Sequence, residues 1–163
     1  MKVENGTYRL AAMGDCMLAR ETGRHFRTNP EDFSFNDIRP LLTGHDIIIA
    51  NFENPVGVKG TPDPAQDPHV TFCCRPESLG ILKNLGVNVV SLGNNHMLDY
   101  GETSLIETLE YLDAAGIKHA GAGRNYEEAN RPLLLEARGN KVAFMSHVFI
   151  YSASTRMATK NRP

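Results

Sequence analysis

Three groups of polar residues each follow directly on an apolar run that is typical of a buried strand. Asp15 follows the first run, Asn51 and Glu53 follow the second, and a later run leads into the Gly-Asn-Asn-His sequence at residues 93–96, with Asp99 close behind. The carboxyl ends of strands in an open α/β sheet form the crevice where ligands bind, so residues roughly 40 positions apart can converge there. Carboxylate and carboxamide oxygens with one imidazole suit Mg, Mn, Fe or Zn better than a soft thiolate metal. We therefore expect a site for a divalent metal at this edge of the sheet.

Each group also has a purely structural explanation. An Asp after a strand commonly forms a turn or caps a helix, Asn51 and Glu53 before a proline can simply close a loop, and asparagine tolerates the left-handed backbone of turns. Asp99, three residues after His96, can hold one nitrogen of an oriented imidazole or can cap the helix that follows. Because the same placement recurs after three strands, we favour a functional site.

The elements that would position these residues alternate between strands and helices. The predicted strands are residues 8–13, 46–50, 70–73, 87–92 and 117–120, with a hairpin at 133–137 and 141–147. The predicted helices are residues 36–42, 76–85 and 102–115, with a helical turn at 126–129. Residues 20–32 are a polar stretch with no predicted element, and residues 57–68 and 151–163 are predicted to be loops. This alternation predicts an α/β fold with parallel strand pairings, and three consecutive isoleucines at 47–49 are typical of a strand buried on both faces.

Composition limits the class of protein. The chain has 163 residues, of which 41% are hydrophobic and 22% charged, and this predicts one globular domain over residues 1–163. A net charge of −2 argues against a protein that coats nucleic acid. Three cysteines do not make a disulfide framework, and the sequence has no apolar leader or membrane span, so we expect a cytoplasmic location for the chain as given.

Four segments carry a resemblance to a known family. They are residues 14–20 (Gly-Asp-Cys-Met-Leu-Ala-Arg), 50–53 (Ala-Asn-Phe-Glu), 91–101 (Ser-Leu-Gly-Asn-Asn-His-Met-Leu-Asp-Tyr-Gly) and 121–129, which begins Gly-Ala-Gly-Arg-Asn. In this order and spacing the chain resembles the bacterial CapA/PgsA capsule-synthesis proteins from about residue 10 to residue 144. The Asn-His motif with its following Asp-Tyr-Gly is the most specific part. That family is similar to the calcineurin-like metallophosphoesterases, so the resemblance implies the N-terminal part of an α/β/β/α sandwich.

The resemblance also implies roles for individual residues. Asp15, Glu53 and Asn95 would be metal ligands, with Glu53 in the place of the carboxylate that bridges two metals. His96 would stabilise developing negative charge or protonate a leaving group, with Asp99 orienting its ring.

Arg20 is the candidate contact for an anionic substrate, and a surface salt bridge is its alternative role.

Two departures from the superfamily pattern accompany these assignments. Met17 stands where the superfamily has a histidine, two residues after the first aspartate. The superfamily also takes further histidines from a C-terminal half, for which His147 is a possible local substitute. The other half of the sandwich would be missing, and the exposed sheet face would then be covered by a partner chain, a second copy of this chain or the rest of a longer protein.

Three functions are compatible with these residues. The leading hypothesis is a metal-dependent hydrolase that cleaves a phosphoester, a phosphoanhydride or an amide-like bond in a capsule or poly-γ-glutamate type polymer. Its substrate would be anionic or peptide-like. The second hypothesis is a non-catalytic accessory or binding protein of polymer synthesis, which Met17 favours. The third is a metal-dependent peptide-modifying enzyme, such as an epimerase, with His96 as acid or base. Members of the family can be membrane-associated or exported.

Overall fold

A four-stranded parallel sheet is the centre of the structure, a computed structural model that describes residues 6–149 and residue 160. Its strands are β1 (Leu10–Cys16), β2 (Ile47–Phe52), β3 (Val89–Ser91) and β4 (Lys118–Ala120), and they lie in the order β1-β2-β3-β4. Every neighbouring pair in this sheet is parallel. Parallel neighbours need crossover connections, which here contain helices. The predicted α/β class is confirmed.

Helices connect the strands of the sheet, and a hairpin follows the last helix. The helices are α1 (Arg20–Thr28), α2 (Arg39–Leu42), α3 (Leu79–Leu85), α4 (Gly101–Ala115) and α5 (Tyr126–Asn130), with short 3₁₀ turns at Pro30–Phe33, Pro68–Val70 and Pro76–Ser78. The hairpin strands β5 (Leu133–Ala137) and β6 (Asn140–Phe144) form a separate antiparallel pair. None of the helices among the described residues is both long and apolar enough to cross a membrane.

The two faces of the parallel sheet are buried by different layers. Ile48, Ala50 and Phe52 of β2 belong to the main core, together with the apolar faces of α3 and α4. Ile47 of β2 and Val89 of β3 instead pack with the hairpin. Because successive residues of a strand point to opposite faces, a strand covered on both sides needs a continuous apolar sequence, and this explains the isoleucine run.

Two sequence predictions differ from the structure. Residues 20–28, a polar stretch for which no helix was predicted, form a helix, and the sequence hides it because Phe26 is the only large apolar residue in that helix. The predicted strand at residues 70–73 is wrong, because the Phe72 N–H donates to the Asp99 carboxylate instead of to a neighbouring strand. The predicted loop at residues 151–163 lies outside the described residues apart from Lys160.

Asp46 ties the first two strands to the hairpin, and its contribution to stability is expected to depend on pH. Its Oδ2 accepts a hydrogen bond from the Arg9 N–H at 2.9 Å, and its Oδ1 accepts one from Arg138 Nε at 2.8 Å. These bonds lower the pKa of the Asp46 carboxyl, the Arg9 bond most strongly. A carboxyl whose pKa is lowered by folding stabilises the protein above its unfolded pKa of about 3.9, and this contribution is lost as the pH falls through the folded pKa.

Asp46→Asn is therefore expected to lower the free energy of unfolding at pH 6, and the difference from wild type should shrink towards pH 3. Urea unfolding followed by circular dichroism at both pH values measures this. Asp37→Asn, which changes an exposed aspartate, is the control. An Asp46→Asn deficit of the same size at both pH values would contradict the assigned role.

Candidate functional site

The sheet register places polar residues in one row at the carboxyl ends of the strands. Asp15 of β1 is paired with Asn51 of β2, and Asn51 is paired with Ser91 of β3. The row therefore crosses three neighbouring strands at the edge where ligands bind in parallel sheets. These are the strand ends at which the sequence predicts a site.

An irregularity in β1 brings Asp15 into this row. Ala12 is paired with Ile49 and Asp15 with Asn51, so β1 uses three steps where β2 uses two. Without the extra residue, Gly14 would stand opposite Asn51 and the carboxylate would point to the other face. Bulges of this kind commonly re-aim a side chain next to a functional site.

A chain of carboxamide hydrogen bonds joins the three loops. Asn51 Nδ2 donates to Asp15 Oδ1 at 2.8 Å, and Asn94 Nδ2 donates to Asn51 Oδ1 at 3.2 Å and to the Phe52 carbonyl at 2.9 Å. Asn94 Oδ1 in turn accepts a hydrogen bond from the His96 N–H at 3.0 Å. The predicted convergence of the three loops is confirmed. The role of Asn94 as the connector was not predicted, because two adjacent asparagines offer no sequence signal that separates them.

His96 and Asp99 form a hydrogen-bonded pair. His96 Nδ1 lies 2.9 Å from Asp99 Oδ2, the Asp99 side chain is fully buried, and the His96 side chain is 13% exposed. The same Oδ2 accepts a hydrogen bond from the Phe72 N–H at 2.7 Å, whereas Asp99 Oδ1 is buried without a partner among the described residues. Burial raises the pKa of Asp99, and the hydrogen bonds from Phe72 and His96 partly oppose that rise. With Nδ1 engaged, Nε2 is the ring nitrogen left to meet a ligand.

Arg20 reaches the same region through an aromatic contact. Its guanidinium carbon lies 4.6 Å from the centre of the Phe72 ring, and that ring lies 4.5 Å from the His96 ring centre. No salt bridge to Arg20 exists within residues 6–149, so the alternative role as a surface ion pair has no support there. The Arg20 backbone has a φ of 54°. A positive φ is costly for a residue other than glycine, and such strain clusters at functional sites.

Glu53 and Asn95 lie beside the row with unengaged side chains. Glu53 comes directly after β2, where its N–H donates to the Cys16 carbonyl at 3.1 Å. Glu53 is half-buried and Asn95 is exposed. Across the described part of the chain, neither side chain makes a hydrogen bond or an ion pair, so both are free to bind a ligand.

The donor chemistry fits a hard divalent cation. Asp15 and Glu53 offer carboxylates and Asn95 a carboxamide oxygen, the ligand types that Mg²⁺ and Mn²⁺ prefer. Among residues 6–149 and 160, no group of three or more His, Cys, Asp or Glu side chains could hold a metal ion. The assignment of Asp15, Glu53 and Asn95 as ligands therefore stays a prediction. Burial and the Asp15 charge raise the pKa of the Cys16 thiol, which favours its neutral form.

Residues near the site that the sequence singled out have local partners. Met17, which replaces the superfamily histidine, is half-buried, and its sulfur accepts a contact from the Ala19 N–H at 3.3 Å. His147 is exposed, and its Nε2 lies 3.2 Å from Asn130 Oδ1. Its use as a substitute metal ligand stays a prediction.

Ser146 fixes the loop that carries the Asn-His motif, and sequence reasoning missed it. Its hydroxyl lies 2.6 Å from the Ser91 hydroxyl and accepts a hydrogen bond from the Gly93 N–H at 2.9 Å. A Cβ on Gly93 would stand 2.6 Å from Ser146 Oγ and 2.7 Å from the His147 nitrogen, so only glycine fits there. The hairpin layer therefore supports the loop from the face opposite the helices.

Comparison with known proteins agrees with this geometry. Residues 9–162 match the sequence profile described as bacterial capsule synthesis protein PGA_cap. The capsule biosynthesis protein CapA of Bacillus anthracis is 27% identical over 161 residues, which are 98% of this chain and 39% of that protein. The PGA biosynthesis protein CapA of Bacillus subtilis is 26% identical over 93% of this chain and 40% of its own length.

A third relative is described as an accessory protein. The probable polyglutamine synthesis accessory protein of Mycobacterium tuberculosis is 32% identical over 57% of this chain and 24% of its own length. The chain thus spans about two fifths or less of each of these relatives. Since the family profile covers nearly all of the sequence and includes every residue of the candidate site, the chain belongs to the bacterial capsule synthesis protein family.

Proposed function

We propose that this chain carries the site of a metal-dependent hydrolase of the phosphoesterase type, which acts in the synthesis of a capsule or poly-γ-glutamate type polymer. The observation that carries the proposal is the His96–Asp99 pair beside the Asp15–Asn51 row. A buried carboxylate that fixes one imidazole nitrogen leaves the other nitrogen directed and available, as in general acid–base sites. The bond cleaved would be a phosphoester, a phosphoanhydride or an amide-like bond.

Asp15, Glu53 and Asn95 would hold the cation, which would be Mn, Fe, Zn or Mg. A divalent cation there would supply charge neutralisation and activation of water at neutral pH. Asn51 orients Asp15 through the 2.8 Å hydrogen bond to its Oδ1, which leaves Oδ2 for the ligand position. The carboxamide chain thus fixes the carboxylate without adding further negative charge.

His96 would act at Nε2 on the leaving side of the scissile bond. Asp99 holds Nδ1 and so keeps the ring in one tautomer and one orientation. In the doubly protonated imidazolium, the Nε2 proton would be delivered to the leaving oxygen or nitrogen, and the neutral ring protonated at Nδ1 would remain. Arg20 would bind an anionic group of the substrate, in keeping with an anionic or peptide-like polymer.

Metal content and hydrolysis measured on the same samples test the proposal. The chain would be loaded in turn with Mn²⁺, Fe²⁺, Zn²⁺ and Mg²⁺, dialysed and analysed for metal, then assayed with p-nitrophenyl phosphate, bis-p-nitrophenyl phosphate and γ-glutamyl p-nitroanilide. We expect stoichiometric metal and hydrolysis of at least one substrate, with activity lost on chelation and restored by the same metal. Absence of both metal and hydrolysis would overturn the proposal.

The second candidate is a non-catalytic accessory protein of polymer synthesis. Two observations favour it: the described residues contain no three-ligand cluster of His, Cys, Asp or Glu, and Met17 replaces a superfamily metal-binding histidine. The description of the Mycobacterium tuberculosis relative as an accessory protein points the same way. A metal-free chain that still binds an anionic polymer such as poly-γ-glutamate would support this candidate over the hydrolase.

A further inference from the structure

Phe72, on the long loop between β2 and α3, touches both members of the His96–Asp99 pair. We propose that Phe72 is a positioning residue for His96, and that residues 57–75 are therefore part of the site. The proposal rests on the catalytic role proposed for His96. Neither the sequence motifs nor the family assignment draws attention to this loop.

The Phe72 ring restricts the imidazole. The two ring centres lie 4.5 Å apart with an angle of 36° between the ring planes. A single hydrogen bond at Nδ1 would leave the His96 ring free to tilt about that bond, and the aromatic face removes this freedom. A contact between rings at such a distance favours one arrangement of the imidazole over the others.

The Phe72 backbone restricts the carboxylate that orients the imidazole. Asp99 Oδ2 receives the Phe72 N–H at 2.7 Å and His96 Nδ1 at 2.9 Å. Phe72 thus fixes both partners of the pair. The Phe72 side chain contacts the His96 ring, and the Phe72 N–H binds the Asp99 carboxylate. A substitution of the Phe72 side chain removes only the first contact, so the two contributions can be separated.

The loop that presents Phe72 is held at several points along its length. The Gly57 N–H donates to the Cys74 carbonyl at 3.1 Å, which joins the two ends of the loop. The buried carboxylate of Glu107 accepts two consecutive loop N–H groups at 3.1 Å each. The Asp63 N–H donates to the Asp99 carbonyl at 2.9 Å. These anchors give the Phe72 ring a fixed position from which to hold His96.

Arg20 depends on the same ring. Its guanidinium carbon lies 4.6 Å from the Phe72 ring centre, within the range of a cation–π contact. Loss of the ring should therefore disturb both groups that are proposed to meet substrate. His96 misplacement would lower kcat, and Arg20 misplacement would raise KM.

The test compares Phe72→Leu, which removes the ring, with Phe72→Tyr, which keeps it. The tautomer of the neutral His96 ring would be read by NMR from ¹⁵N-histidine-labelled protein, with His96→Gln used for assignment. In wild type and Phe72→Tyr we expect the tautomer protonated at Nδ1 and a ring-current shift of the His96 protons. Phe72→Leu should lose the shift, while Asp99 keeps the tautomer. The order parameter of the His96 Cε1–H bond, measured by ¹³C relaxation on protein labelled also with ¹³C-histidine, should fall because the ring is no longer held by the Phe72 ring. Phe35→Leu, which removes a half-buried ring elsewhere in the core, is the matched control and should change neither signal.

The spectroscopic result does not require activity. If the order parameter of the His96 ring in Phe72→Leu equals that of wild type, the positioning role is wrong, whatever the hydrolase assays give. Phe72→Met, which fills more of the vacated space, replaces Phe72→Leu if that variant has a lowered Tm. Where hydrolysis is measurable, Phe72→Leu should have a kcat about 10-fold below that of wild type, and Phe72→Tyr should have a kcat close to that of wild type. Failure of the proposed hydrolase would instead appear as an inactive wild type with an intact tautomer signal.

Discussion

His96→Gln is expected to lower kcat for phosphoester hydrolysis by about 100- to 10,000-fold, the usual contribution of a positioned general acid or base. The side chain is only 13% exposed and its Nδ1 is bound to a fully buried carboxylate, so Nε2, the nitrogen proposed to act on substrate, is held in place. Glutamine keeps a polar side chain of similar reach but cannot donate or accept a proton in the same way. Steady-state kinetics of the metal-loaded protein would measure the effect.

Metal content separates this role from that of a ligand. His96→Gln should retain the metal, because neither ring nitrogen is assigned to the cation. His45→Gln, which changes a histidine whose Nδ1 lies 3.0 Å from the Leu42 carbonyl, is the control for loss of an imidazole away from the site. A His96→Gln protein that loses its metal would contradict the division between ligands and acid.

Glu53→Ala is expected to abolish metal binding, with the affinity reduced by more than about 100-fold. Mutation of a residue that hydrogen-bonds to a metal ligand typically lowers metal affinity 10- to 100-fold. Removal of a carboxylate that binds the metal directly should lower the affinity further. The Glu53 N–H is fixed to the Cys16 carbonyl, and its side chain makes no hydrogen bond or ion pair within residues 6–149, so its loss should leave the fold intact. Elemental analysis after dialysis and calorimetric titration with Mn²⁺ would measure the loss.

Glu31→Ala removes an exposed carboxylate outside the site and serves as the control. Circular dichroism would show whether each variant keeps its fold. If Glu53→Ala binds metal as tightly as wild type, Glu53 is not a ligand. A second carboxylate ligand besides Asp15 would then have to come from another part of the chain.

The sequence predicted the parts of the fold that depend on burial. The isoleucine run in β2 and the leucines of α4 face packed layers, so their patterns follow directly from the hydrophobic effect. Helix α1 could not be predicted in this way, because it buries little apolar surface. The bulge that aligns Asp15 was also hidden, since a register shift depends on the partner strand and not on the residue itself.

The sequence predicted only those residues of the candidate site whose side chains are of types that commonly bind metals or transfer protons. The positions of Asp15, Asn51 and the His96–Asp99 pair follow from their placement after strands, whereas the ligand roles of Asp15, Glu53 and Asn95 come from the family resemblance and stay predictions. Phe72 lies 24 residues before His96, in a loop whose backbone hydrogen bonds are made with distant side chains. Such contacts have no local sequence pattern, because they depend on the path of the whole loop.

The strand order β1-β2-β3-β4 has a consequence for how the protein is made. Each strand pairs with the one that precedes it in the chain, so the sheet can grow in the direction in which the ribosome releases it. Pairings between successive elements close shorter loops than pairings between distant ones, which lowers the entropy cost of each pairing. The polar row follows the same sequence of events: Asn51 can engage Asp15 as soon as β2 has been added, and Asn94 can engage Asn51 once β3 has followed. The polar row can thus assemble through successive pairings of strands that are neighbours in the chain.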